Sequence, residues 1–405
     1  MRVILPEIFW HGNRERIMSL DFQSSSTPQL ATCGADLVLG IYIRIWQINL
    51  FNNELIPQHI DDLAGTHERC VNVVKFSPDG KLLASGSDDG CVVIWEKKLK
   101  PVFGEDREEI GWGSKRVLRG HVGEIHDLCW SETGKYIATA SMDGSAIIFD
   151  VERAKVIQRL EGHKHVQGIS WHSGYLATMS TDRTLRIFKQ SKKGFYIKHS
   201  VRDYEKNKLF QEQGQASAFF RRLAFSPCGS LLIAPAGLSG DIPVAHCFFK
   251  KQFTVPSITF PINITNQEKA SAVCVKFCPF FYKANDTQLI AGLEHKLVWA
   301  VATKDSVLIY DSEHATPIGA ITNAHYAPLT DLAWFGDKLL AVSSIDGYVS
   351  FVVFEEGELG IRITAEVKEE KSQDMEIEEE VEVKDDSSKK DTGKRRICPV
   401  AVVGN

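Results

Sequence analysis

Apolar and polar positions fall into short runs along this chain rather than into long helical stripes. VNVVKF from Val71 leads into the turn SPDG, then LLASGS, a second turn at DDG, and CVVIW ending at Trp95. Strand, turn, strand, turn, strand at this spacing predicts an antiparallel meander. Alternation inside each run is weak, as in strands buried on both faces. The same grammar returns in GHVGEIHDLCWSETGKYIATASMDGSAIIFD (Gly120–Asp150) and in GHKHVQGISWHSGYLATMSTDRTLRIF (Gly162–Phe188). His121 and His163 lie 42 residues apart, inside the period of about 40–45 residues of a propeller blade. His67 and His121 are 54 apart because a charged segment, Lys97–Arg116, intervenes.

Weaker copies begin at Ser19, Phe219, Ala272 and Leu329. Together they predict an all-β, seven-bladed WD-repeat propeller over residues 1–360. The last copy supplies three strands, and the N-terminal RVILPEIFW is expected to supply its fourth and close the ring. Two insertions, Lys97–Arg116 and Gln190–Ala218, are expected as loops on the rims. Residues 361–392 form an acidic stretch expected to be disordered, and residues 393–405 a basic-aliphatic tail motif.

Charge sharpens this division. The chain carries a net −5, yet Glu366–Asp391 alone holds 12 acids against 5 bases, so the propeller body is close to neutral. A strongly basic nucleic-acid face is not visible in the totals. Nine cysteines stand singly without a CxxC pair, which reads as reduced thiols of an intracellular protein. The N-terminus lacks the apolar core of a signal peptide, and no apolar run approaches the ~18 residues of a membrane span.

A His, a turn Asp and an aromatic recur in register: His67, Asp89 and Trp95, then His121 and Asp143, then His163 and Asp182. Each imidazole is expected to bond the Asp on one side and a hydroxyl such as Ser87, Ser141 or Ser180 on the other. A catalytic site would occur once. A set repeated in register reads as a lock inside each blade. His121, Glu124 and His126 do not have HExxH spacing and sit on a turn and strand, so they are not read as a metal site, nor are His163 and His165. Cys274 and Cys278, four apart in a strand, are read as core. No GxSxG, P-loop or GxGxxG is present, so no catalytic residue, cofactor or small-molecule substrate is expected.

Phe219, Phe220, Arg221 and Arg222 open a strand straight after the longest insertion. They are read either as core aromatics with solvated arginines or as a rim contact for a partner. At the far end, Lys394, Arg395 and Arg396 precede the aliphatic run Ile397–Val403, interrupted by Pro399. One reading is a strand added to a partner's open sheet edge, with the arginines fixing register. The other is a nuclear-import signal together with Lys389 and Lys390.

WHGNRERIMSLDFQ, FFRRLAFSPCGSLLIAPAG, WAVATKDSVLIYDSE and SSIDGYVSFVVFEEGELG resemble the middle, WD-repeat subunit of chromatin assembly factor 1, across residues 1–360. Histone-regulator WD-repeat proteins share part of this pattern. The resemblance implies a nuclear, non-enzymatic subunit of a complex that deposits histones H3 and H4 on newly replicated DNA, with the large and small subunits of that complex as partners. It also implies that Lys394, Arg395, Arg396, Ile397 and Pro399 bind the anti-silencing-function histone chaperone. A reading of a different class is a substrate-receptor propeller of a ubiquitin ligase.

Overall fold

The structure, a computed structural model, describes residues 1–363 apart from 26, 37–39, 52–53, 102–107, 213–218, 264–270, 286–288 and 291. The expected tail motif, and all of the expected linker after Ile363, lie outside the described residues. Every described regular element is a strand, and no helix is long and apolar enough to cross a membrane.

Seven four-stranded antiparallel sheets follow one another around a ring. Blade 1 runs Ile17–Phe22, Gln29–Gly34, Ile41–Phe51, Glu54–Ala64, and blade 2 Val71–Phe76, Leu82–Ser87, Cys91–Pro101, Glu108–Arg119. Blade 3 is Ile125–Trp130, Tyr136–Ser141, Ala146–Asp150, Lys155–Leu160, and blade 4 Val166–His172, Tyr175–Ser180, Leu185–Ser191, Gly194–Val201. Blade 5 is Ala224–Phe225, Leu231–Ser239, Ile242–Phe249, Ile258–Pro261, and blade 6 Ala272–Phe277, Val298–Thr303, Ser306–Asp311, Gly319–Thr322. Blade 7 takes Leu329–Phe335, Leu339–Ser344 and Val349–Val353, and its outermost strand is Arg2–Ile4. That last pairing, Arg2 with Val353 through Ile4 with Phe351, joins the two ends of the propeller as expected.

The core sits between blades. Trp95 and Trp112 of blade 2 pack with Ile43, Ile45 and Leu63 of blade 1. Trp299 and Tyr310 of blade 6 pack with Ile233 and Phe260 of blade 5. Trp10, just after the closing strand, is fully buried against Trp46 and Phe351 where blade 7 meets blade 1. Strands covered on both faces carry apolar residues at consecutive positions, which explains the weak alternation.

Both insertions depart from the expected loops. Lys97–Arg116 belongs to a long two-stranded ribbon that pairs from Cys91 with Arg119 out to Pro101 with Glu108. Charged residues line its exposed portions, so composition alone resembled a loop, while Trp112 anchors it against Phe76. Within Gln190–Ala218, Gly194–Val201 is the outermost strand of blade 4, and Asp203–Tyr204 pairs with Asn207–Lys208 in a small hairpin. Residues 361–363 are also ordered into the fold, because Arg362 and Ile363 pair with Tyr282 and Phe281.

Candidate functional site

The innermost strands of six blades each carry a bulge, at Met18, Asn72, His126, Gln167, Val273 and Thr330. A bulge leaves one residue outside the ladder, so its carbonyl needs a partner elsewhere. All six find one in two consecutive residues of blade 5. Arg222 Nη1 donates to Met18 O at 3.1 Å and Thr330 O at 2.8 Å, and Nη2 to Asn72 O at 2.8 Å and His126 O at 3.4 Å. The backbone N–H of Arg221 donates to Gln167 O at 3.2 Å, and that of Arg222 to Val273 O at 2.9 Å. Gly168 permits this approach, since a Cβ there would lie 1.9 Å from Arg221 O.

Charge is balanced around this hub. Arg222 lies 3.5 Å from both Asp127 and Asp331, and Lys75 Nζ is 2.8 Å from Asp331 and 4.0 Å from Asp21. Burial opposes ionisation of Asp331, but Arg222, Lys75 and Lys276 overcome it and hold that carboxyl well below the usual range. Asp127 and Asp21 shift the other way, because burial outweighs Arg222, Lys276 and Lys75 at the first and Lys75 and Lys276 at the second. Arg222 Cζ stacks 3.8 Å over Phe220. Phe219 is 57% exposed and stacks on His126 at 5.2 Å.

Arg221 and Arg222 are each 1% exposed, so the expected rim contact is corrected: both arginines are buried, and the Arg222 guanidinium lies at the centre of the ring. Arg221 spends its guanidinium on Gln211 O and Ser180 O. The reason is topological. Blade 5 has only two residues in its innermost strand, and the chain before them turns into the channel instead of continuing the ladder.

The predicted locks form as expected in their acids and differ in their hydroxyls. His67 Nδ1 is 2.8 Å from Asp89, His121 Nδ1 2.8 Å from Asp143 and His163 Nδ1 3.1 Å from Asp182. The other ring nitrogen meets Ser85 at 2.7 Å, Thr139 at 2.7 Å and Thr178 at 2.8 Å. Ser87, Ser141 and Ser180 share that strand face two residues on, but they accept the backbone N–H of Asp89, Asp143 and Asp182 and shape the turn. The Asp89 carboxylate can only accept, so His67 Nδ1 donates to it and Nε2 of the neutral ring accepts from Ser85 Oγ, which itself accepts from Trp95 Nε1. Blade 3 has Phe149 in place of the indole. Its lock gains Arg159, which donates to Ser145 at 2.8 Å and sits 3.5 Å from Asp143. Burial would raise the Asp143 carboxyl, but hydrogen bonds from His121 and Ser145 press it well below the usual range.

Two further histidines escape the repeat pattern as read from sequence. His325 bonds Asp346 at 3.1 Å and Ser350 at 2.8 Å in blade 7. His11 bonds Thr32 at 3.0 Å in blade 1, where Trp46 Nε1 joins at 2.9 Å. The separation of 21 residues between His325 and Asp346, against 22 for His67 and Asp89, was the available signal.

In the locks of His67, His121, His163 and His325, both ring nitrogens are engaged, leaving neither for a substrate. Asp311, Glu313 and His314 converge in blade 6, but Lys296 Nζ already stands 2.8 Å from Asp311 and 3.4 Å from Glu313. The arrangement neutralises charge and fastens backbone. What remains open to partners is the outside of the ring, including the ribbon of blade 2, where Leu99 and Ile110 face each other across the strands at 62% and 73% exposure.

Comparison with known proteins agrees with this architecture. A family model described as the CAF1B/HIR1 β-propeller domain matches residues 1–359. The chain is 36% identical to the B-type subunit of chromatin assembly factor 1 from Mus musculus, covering 89% of this chain and 68% of that protein. It is 31% identical to the corresponding protein of Saccharomyces cerevisiae, with 88% and 87% covered. Protein HIR1 of Kluyveromyces lactis is 28% identical over 89% of this chain but 44% of its own length.

Proposed function

Because the chain belongs to the CAF1B/HIR1 β-propeller family, we propose that it is a non-enzymatic scaffold of a nuclear histone H3–H4 chaperone complex that assembles nucleosomes on newly replicated DNA. Its broader place is in chromatin assembly, the role carried in the names of its chromatin assembly factor 1 relatives, within a complex of several subunits. The observation that carries the scaffold reading is the hub. Six blades surrender a backbone carbonyl to Arg221 and Arg222, so the ring's centre is built to hold shape and its outer surfaces are left for partners.

On this reading the propeller holds the large subunit. The tail residues Lys394, Arg395, Arg396, Ile397 and Pro399 hold the anti-silencing-function chaperone by adding a strand to its sheet edge. Purification of the tagged chain from nuclear extract with mass spectrometry tests the complex. Recovery of the large and small subunits with H3 and H4 supports it, and a cullin adaptor in their place overturns it. Calorimetry with a peptide of residues 390–405 tests the tail. Replacing Arg395 and Arg396 by Ala is expected to weaken binding by about 2–4 kcal/mol if both bonds are desolvated. Equal binding by the double variant leaves the basic cluster as an import signal.

A further inference from the structure

Arg2–Ile4 is the terminal strand of its sheet and only three residues long. Met1, Val3 and Leu5 alternate along it and are 42%, 42% and 40% exposed, so one side of this edge is apolar and uncovered. The Met1 side chain lies over Gly319 in the outermost strand of blade 6, beside Ile318 at 40% exposure. Acids cluster at the start of the strand: the Met1 amino group pairs with Glu358, and Glu355 and Glu356 are exposed next to it in sequence. Arg2 is the one cation of this strand, whereas the outer strands of blades 2 and 3 carry several, Lys115, Arg116 and Arg119 on the first and Lys155 and Arg159 on the second, and the acids on the outer strand of blade 1, Asp61 and Asp62, are already paired with Lys100 and Arg44. Positive charge on an edge deters a basic strand.

The chain's own C-terminal motif has the opposite character, three bases followed by an aliphatic run. Its point of departure is fixed close by. The Phe354–Leu359 segment leads from blade 7 past Met1 to the Arg362–Ile363 pairing with blade 6. From Ile363, the stretch up to Arg396 reaches about 30 Å if it behaves as a coil, and Ile363 lies within a few residues of Glu358. A tether of this kind supplies an effective concentration of about 1 mM.

We infer that residues 394–403 dock on the open edge of blade 7 as an additional strand, with Lys394–Arg396 against Glu355, Glu356 and Glu358 and Val400 and Val402 against Val3 and Leu5. Docking shelters the motif that the proposed function gives to a histone chaperone and in that respect rests on it, so the partner must displace the docked strand. Pro399 interrupts the ladder, which suits a contact of short length and easy release. The acidic stretch before the motif competes for the same bases, but exposed ion pairs within a coil are weak and bury no apolar surface.

Hydrogen exchange on the full chain, alone in solution, tests the docking without any partner. At an effective concentration of about 1 mM and a Kd of about 0.1 mM, the amides of residues 2–4 and 400–403 that form the new ladder exchange about tenfold more slowly than when undocked. Arg395→Glu with Arg396→Glu removes that protection. Glu355→Arg with Glu356→Arg does the same, and combining the four substitutions restores it. Val400→Asp with Val402→Asp removes it without altering the basic cluster. Equal exchange in all five proteins overturns the proposal, as does protection lost in both charge variants and not restored by their combination. Failure of the peptide of residues 390–405 to bind the chaperone would sink the partner reading and leave this one standing.

Discussion

Blade 3 and blade 5 hold the ring by different means. Blade 3 follows the repeat closely: a six-residue innermost strand, Ile125–Trp130, and a lock of His121, Thr139 and Asp143 within one blade. Blade 5 has two paired residues in its innermost strand, yet Arg221 and Arg222 before them bind carbonyls from six other blades. A lock repeated in register stabilises the blade that contains it. A residue that breaks register can reach the axis, which every blade shares and no repeat unit can encode. The irregular blade is therefore expected to carry the greater energetic weight.

Replacing Arg222 by Met tests that inequality most directly. The substitution removes four guanidinium bonds and leaves Asp127 and Asp331 buried without their main cation. Breaking a buried charge pair in this way costs about 3–5 kcal/mol, which chemical denaturation of the purified chain measures. A loss smaller than that of Asp143→Ala in blade 3 would reverse the ranking of the two blades.

Acid separates the regions along a different axis. His126, beside the hub, is driven to about 4 by burial and then by Arg222. Burial takes His246 of blade 5 to about 4 as well, and burial followed by Arg44 takes His11 of blade 1 to about 3. All three are neutral in the folded chain at pH 6, while in the unfolded chain they begin to protonate near pH 6.5. Protons then favour the unfolded state, so stability present above pH 6.5 falls as pH drops toward 4, by up to about 1.4 kcal/mol per pH unit for each histidine. The depressed carboxyls Asp331, Asp143 and Asp182 act later, withdrawing their contribution only as pH falls below about 3.8. Urea midpoints from pH 7 to 4 measure the histidine loss against the opposing gain from Asp21 and Asp127, whose carboxyls burial raises, and imidazole resonances that titrate near pH 6.5 in the folded chain contradict the neutral burial of these rings.

Asp143→Ala probes the repeated lock. It strips His121 Nδ1 of its acceptor and Arg159 of its ion-pair partner inside blade 3 and is expected to cost about 1–3 kcal/mol, read as a lower thermal midpoint with partner binding unchanged. An unaltered midpoint would mean that His121 and Asp143 are not coupled.

These contrasts follow what the chain reveals to inspection. Repetition made the blade number and the His–Asp pairs legible, because an aromatic follows Asp89, Asp143 and Asp182 by six residues each time, while the His precedes its Asp by 22, 22 and 19. The hydroxyl partner was misplaced by two residues, since Ser85 and Ser87 share a strand face and only the turn geometry separates their roles. Arg221 and Arg222 stayed opaque because their partners lie up to 204 residues away, at Met18. No local pattern distinguishes an axial arginine from a rim arginine. The blade 2 ribbon was misread for a related reason: beyond the propeller body its faces lose the apolar periodicity that marks a strand.

The closing strand gives the smallest expected effect. An N-terminal deletion that exposed an inner strand would be ruinous, but Arg2–Ile4 is the outermost strand of blade 7 and its residues are largely exposed. Removing residues 1–5 leaves Val349–Val353 as the terminal strand, comparable in length to the outer strands of other blades. Trp10 and His11, which pack and bond where blade 7 meets blade 1, are retained. Three residues of ladder contribute about 0.5–1.5 kcal/mol per hydrogen bond, against an ordering entropy of about 1–2 kcal/mol per residue. The two terms nearly cancel, so stability is expected to change by no more than about 1 kcal/mol, and the truncated chain is expected to remain a soluble ring. Aggregation, or loss of the folded circular dichroism spectrum, would show that closure depends on this strand more than on the Trp10 packing behind it.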